Sequence, residues 1–135
     1  MHAGSAAATL VLVVGHMVAL ALDTYAGVGW TGTFVPGESA YRPLAVGLGT
    51  IGLYVGVLTG GSVLLAGRLL GRHWLPVHRL ASAAFVLVWC HGVLAGSDTV
   101  QLRALYLVTG VGLAALAISR RAMQAPLAAS EEPTP

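Results

Sequence analysis

Four uncharged apolar stretches, residues 3–22, 43–67, 80–97 and 104–119, fill most of this 135-residue chain. Each is close to the roughly 17–25 residues that cross a bilayer as a helix. Hydrocarbon offers no water to backbone N–H and C=O groups, so only helices or a closed barrel satisfy them, and these runs are continuous rather than alternating. The expected fold is therefore all-α, an integral membrane four-helix bundle, with helices near residues 6–26, 43–68, 76–95 and 102–120. Composition agrees: 9% of the residues are charged and mean hydropathy is +0.81, against about 25% charged in soluble domains. A water-soluble globule is excluded.

Residues 1–124 form the membrane domain in this reading, and residues 125–135, with Glu131, Glu132 and prolines, read as a disordered tail. Ala19, Leu20 and Ala21 have the small-x-small look of a signal cleavage site. No Lys or Arg precedes them, so the first stretch is expected to remain as a mature helix.

All seven basic residues are arginines, and none forms a patch dense enough for nucleic acid. With four spans, Arg68, Arg72, Arg79, Arg120 and Arg121 share one side, while Arg42 and Arg103 lie on the other with Asp23, Glu38 and Asp98. The positive-inside rule then places both termini in the cytoplasm. The lone Cys90 excludes an internal disulfide and reads as a small apolar filler.

Ionisable residues at membrane depth are functional candidates, and His16, His78 and His91 fall inside the expected spans. Sliding the chain by 75 residues superposes residues 9–24 on 84–99 with seven identities in sixteen positions. His16/His91, Asp23/Asp98 and Thr24/Thr99 are the informative matches, because such residues are rare in spans. In each copy the histidine precedes the Asp-Thr pair by seven residues, roughly 10 Å of helix. The two imidazoles are therefore expected at one level on neighbouring helices. That arrangement suits axial ligation of a haem iron from both faces, since the iron accepts neutral imidazole and the apolar surroundings bury the macrocycle. Zinc would want three or four protein ligands. The alternative is a pair of polar residues bridging helices by hydrogen bonds.

Gly15 precedes His16 and Gly92 follows His91, leaving each ligand candidate a neighbour that cannot obstruct a flat cofactor. In helix two, Gly52, Gly56 and Gly60 clear one face, either for close helix packing or for a cofactor lying against it. His78 precedes His91 by thirteen residues, about 20 Å along an ideal helix and about 140° off its face. Both can face one interior only if the helix is kinked or locally rewound. His78 is open to three readings: ligand to a second haem, contact for a propionate or quinone, or an interfacial residue beside Arg79. Asp23 and Asp98 are expected at outer helix ends, where the dipole disfavours a carboxylate. Either Arg42 and Arg103 pair with these aspartates or with haem propionates, or the aspartates are solvated boundary charges.

The segment Trp74-Leu75-Pro76-Val77-His78-Arg79-Leu80, followed by Trp89-Cys90-His91-Gly92-Val93-Leu94-Ala95-Gly96-Ser97-Asp98-Thr99, resembles ferric reductase-like transmembrane domains. The likeness is to the short bacterial members, and more distantly to the haem-bearing membrane subunit of the periplasmic methionine sulfoxide reductase system. His16 with Asp23, the Tyr41-Arg42-Pro43 segment and the glycine-rich second helix extend it over about residues 11–99. The resemblance implies a b-type haem protein moving electrons across or within the membrane, with His78, His91 and His16 as ligands. The chain departs from full-length ferric reductases: it lacks a second helix with a paired histidine set, and it lacks a flavin or nicotinamide domain, which needs about 200 further residues. A self-contained NADPH reductase is therefore not expected.

The expected function is a membrane electron carrier holding one haem b, with a second haem at His78 as the further reading. A quinol or a redox partner protein would donate electrons to an acceptor at the outer face. Membrane lipid surrounds it, as a homo-oligomer or as a subunit of a larger complex. Two other classes remain open: a non-redox structural membrane subunit, and a small proton-coupled transporter using His16, His91 and the aspartates.

Overall fold

A computed structural model describes the backbone of residues 2–65 and 74–124, and the side chains of residues 4–62 and 74–123. The expectations for Arg68, Arg72 and the tail lie outside the described side chains. Among the described residues there are six helices and no strand: α1 (His2–Leu22), α2 (Gly29–Phe34), α3 (Pro43–Leu65), α4 (Trp74–Arg79), α5 (Ala81–Ala95) and α6 (Arg103–Gln124). Four segments are long and apolar enough to cross a membrane: Gly4–Leu22, Pro43–Ser62, Trp74–Ala95 and Arg103–Met123. The chain is a multi-pass, all-α membrane protein.

Its side chains are sorted the opposite way from a soluble protein. Thr50, Thr59 and Ser62 of α3 are buried, whereas Leu12, Val57, Leu58 and Phe85 are exposed. With lipid outside, burying leucine gains little, and helices associate where small and hydroxylated residues let backbones approach. The chain divides into two compact units, Met1–Ser97 and Asp98–Pro135.

Within the first unit, α3 and α5 run antiparallel. At one end Tyr41 Oη and Arg42 Nη1 donate to the carbonyls of Ala95 and Leu94, at 2.9 and 2.6 Å. At the other, the His78 ring meets the carbonyl of Thr59. Gly52 makes the middle possible, because a Cβ there would lie 2.8 Å from Val88 Cγ2 and 3.2 Å from Leu87 Cβ. Gly56 and Gly60 differ: a Cβ at either meets nothing within 4 Å, so the close approach is confined to the Gly52 end of the stripe.

Three boundaries depart from the sequence expectation. Helix α1 ends at Leu22 rather than near Ala26, because Asp23 Oδ1 accepts the N–H groups of Tyr25 and Ala26, at 2.8 and 3.2 Å, and Gly27 takes φ +65°. An Asx turn competes with the helix at this point. The first loop contains a short helix, α2, bracketed by the positive-φ Gly27, Gly29 and Gly37. Its terminal carbonyls, left without helical partners, are met from α3: Thr50 Oγ1 donates to Thr33 O at 3.2 Å and Tyr54 Oη to Phe34 O. The third span is broken at Leu80, whose N–H bonds to Val77 O three residues back, at 3.0 Å, before Ala84 N–H resumes on Leu80 O. This tighter turn is the local rewinding that His78 and His91 need in order to face one neighbour, and both reach carbonyls of α3.

In the second unit, Leu102 N–H bonds to Asp98 O at 2.9 Å and Tyr106 N–H to Leu102 O at 3.1 Å. Asp98 therefore stands at the turn that leads into the amino-terminal end of α6, the end where a helix dipole favours a carboxylate.

Candidate functional site

His16 on α1 and His91 on α5 lie together, with ring centroids 6.3 Å apart and planes at 78°. The level inferred from the internal echo and the meeting of the two rings agree. The secondary structure around them is less symmetric than the echo: α1 runs to the residue before Asp23, whereas α5 stops three residues before Asp98. The histidines coincide; the helix ends do not.

His91 is held by α3. Its Nδ1 lies 2.8 Å from Ala45 O, which requires Nδ1 to carry the proton and leaves Nε2 as a bare acceptor. A Cβ built on Gly49 would fall 2.6 Å from that Nδ1 and under 3 Å from two ring carbons. The imidazole thus lies flat on a backbone that only glycine leaves open. Hydrogen bonding of the second ring nitrogen to a backbone carbonyl is the usual support of a metal-binding histidine, fixing tautomer and ring orientation.

The end of α5 is fixed by a chain of contacts. Gly32 of α2 abuts Ser39, where a Cβ would come 2.7 Å from Ser39 Cα. Buried Ser39 donates its hydroxyl to Tyr41 O at 2.8 Å and accepts Tyr41 N–H at 3.2 Å. Tyr41 and Arg42 then hold the last carbonyls of α5, and the guanidinium stands 5.2 Å from the Tyr41 ring centre. Arg42 has φ +41°, a left-handed conformation that is costly for a residue with a Cβ. Its carbonyl accepts Val46 N–H at 3.0 Å, so it caps α3, with Pro43 in the first helical position.

His78 repeats the His91 pattern more loosely. Its Nδ1 is 3.3 Å from Thr59 O, and its ring centre is 6.0 Å from Trp74. Thr59 and Ser62 beside it are 2% exposed, and each hydroxyl bonds a carbonyl of its own helix. Among the described residues no group of three or more His, Cys, Asp or Glu side chains gathers as a metal site, so any ion here would be held by histidine pairs or single histidines. Gly15 has open space around a Cβ position. Asp23 spends one carboxylate oxygen on backbone N–H groups and Arg42 its Nη1 on a backbone carbonyl. Asp98 and Arg103 belong to the second unit, at the start of α6.

The 6.3 Å between the His16 and His91 ring centroids can be compared with the separation that one shared ion would impose. Bonds of about 2 Å to each imidazole nitrogen, plus roughly 1 Å from nitrogen to ring centre, set two centroids about 6 Å apart.

The seating of His91 on Gly49 and Ala45 escapes the sequence reading. Its trace is that Gly49, Gly52 and Gly56 stand at i, i+3 and i+7, one face of a helix, of which only the last two are singled out by even spacing.

Compared with models of protein families, with curated proteins and with solved structures, the chain gives no match.

Proposed function

We propose that this protein is a membrane electron carrier that holds a haem b between His16 and His91. The observation that carries the reading is the pair itself: two histidines on two membrane-spanning helices, 6.3 Å between ring centres, one of them with Nδ1 committed to a carbonyl. A pair of ionisable side chains set within two apolar spans has a cost there unless something uses it. The residues fit the group: two imidazoles stand 6.3 Å apart, Nδ1 of one is taken by a carbonyl so that Nε2 is the nitrogen left for an iron, and Gly15 leaves room beside His16. When bound, haem supplies reversible one-electron chemistry, its potential set by axial ligand, hydrogen bonding and burial.

In this reading the chain's own residues hold and insulate. Ala45 O keeps His91 in the Nδ1–H tautomer and holds the orientation of its ring. Tyr41 and Arg42 fix the height of α5, and hence of His91, against α3. The donor is a quinol or a redox partner protein and the acceptor lies at the outer face, in one-electron transfer of the ferric reductase-like kind. His78, with Nδ1 similarly engaged, is the position for a second haem. The arginine distribution supports both termini in the cytoplasm, and the resemblance to the short bacterial members supports a bacterial plasma membrane.

The test is an absorption spectrum of the purified protein from haem-replete cells. A Soret band that shifts on dithionite, with close to one haem per chain, supports the proposal. Colourless protein at full yield rejects it in favour of a structural subunit or a proton-coupled transporter.

A further inference from the structure

We infer that Gly49 is a positioning residue: its bare backbone, with the Ala45 carbonyl one turn earlier, fixes the tautomer and the ring plane of His91, one of the two planes that stand at 78° to each other. The inference rests on the proposal that these histidines face one haem, and it adds how the orientation of His91 is set.

Two contacts define the His91 ring. The hydrogen bond to Ala45 O, at 2.8 Å, fixes where Nδ1 points. A single bond still leaves the ring free to swing about it. The Gly49 backbone removes that freedom, since the space a Cβ would need is taken by Nδ1, Cγ and Cε1 of the ring, at 2.6, 2.8 and 2.9 Å. The ring cannot tilt toward α3 and cannot keep its place if α3 carries a side chain there. Backbone and the root of an imidazole are both unable to yield, unlike the end of a flexible chain. His16 has no such seat, and Gly15 beside it is open, so of the two planes that meet at 78° it is that of His91 that α3 holds.

The angle matters to a bound iron because each imidazole plane selects the iron d orbital with which it overlaps. Parallel planes act on the same orbital and split the pair. Perpendicular planes act on one each and leave the pair nearly degenerate, giving a strongly anisotropic low-spin ferric EPR signal in place of a rhombic one. By holding the His91 plane, Gly49 thus bears on an electronic property of an iron that it does not touch.

Gly56 supplies the control, because it lies two turns further along α3 and a Cβ there meets nothing within 4 Å. Two readouts on the full-length protein in detergent test the seat. Histidine nitrogen-15 NMR of iron-free protein should show His91 in the Nδ1–H tautomer, retained in Gly56→Ala and lost or mixed in Gly49→Ala. EPR of the oxidised haem-loaded protein should be strongly anisotropic in the unsubstituted protein and in Gly56→Ala, and rhombic or high-spin in Gly49→Ala. If Gly49→Ala does not fold, the unsubstituted protein decides: an Nε2–H tautomer of His91 or a rhombic signal overturns the inference, as does a Gly49→Ala protein with both signatures unchanged. A protein that takes up no haem rejects the proposed function, and the tautomer still decides the role of Gly49.

Discussion

Asp23 shows how a single side chain stops a membrane helix. The carboxylate replaces the helix as acceptor for Tyr25 and Ala26 N–H, which in lipid or at its edge have no cheap alternative. Asp23→Ala should lower stability by about 1–2 kcal/mol, the net worth of two such bonds, while Asp23→Asn, which keeps an acceptor oxygen, should cost less than half as much. Thermal unfolding of the three proteins in one detergent checks the ordering; equal losses would mean that the charge, and not the acceptor, matters.

Arg42 carries opposing contributions. Its guanidinium holds Leu94 O, a charged hydrogen bond worth roughly 1.5–3 kcal/mol, and its left-handed backbone costs of order 1–2 kcal/mol. Arg42→Ala loses the bond and keeps the strain, whereas Arg42→Gly loses the bond and relieves the strain. The glycine variant should be the more stable of the two, against the usual helix-propensity order, and denaturation in detergent would refute this if alanine were the better.

At the level of elements, α3 is the organiser. Its two ends hold α5 and His78, Thr50 and Tyr54 close the end of α2, and Ala45 and Gly49 seat His91. The stripe of small residues does not act uniformly along its length. Gly52→Ala forces a Cβ against Val88 and should destabilise the hairpin, while Gly60→Ala meets open space and should be neutral or gain up to about 1 kcal/mol from lost unfolded-state freedom. Opposite signs in the same unfolding assay support the packing described; losses of equal size in both would contradict it.

The spans were legible because a run of apolar residues leaves the backbone no other choice, and the histidine pair because His16 and His91 recur at the same distance from Asp-Thr. The rest is tertiary. The sequence Gly29 to Phe34 has weak helix propensity, and α2 is completed by hydroxyls that come from α3, about 17–20 residues later. Nothing local to His91 announces that Ala45 and Gly49, more than 40 positions away, will meet its ring. The break at Leu80 was legible only as a geometric requirement, since thirteen residues of ideal helix cannot point two histidines at one neighbour.

For the molecule as a whole, the proposed orientation rests on arginine placement. In a Cys90→Ser background, Tyr25→Cys in the exposed first loop should react with an impermeant thiol reagent in intact cells, and Met123→Cys near the end of α6 should react only after permeabilisation. The reverse pattern would invert the topology and put the histidine pair nearer the cytoplasmic face.

The account turns on whether His16 and His91 grip one iron. The most direct measurement is the reduced-minus-oxidised spectrum of the purified protein beside His16→Ala and His91→Ala, at equal protein concentration. Sharp low-spin α and Soret bands in the unsubstituted protein, lost or converted to a high-spin form in each variant, are the predicted result. An unchanged low-spin spectrum in both variants would contradict it.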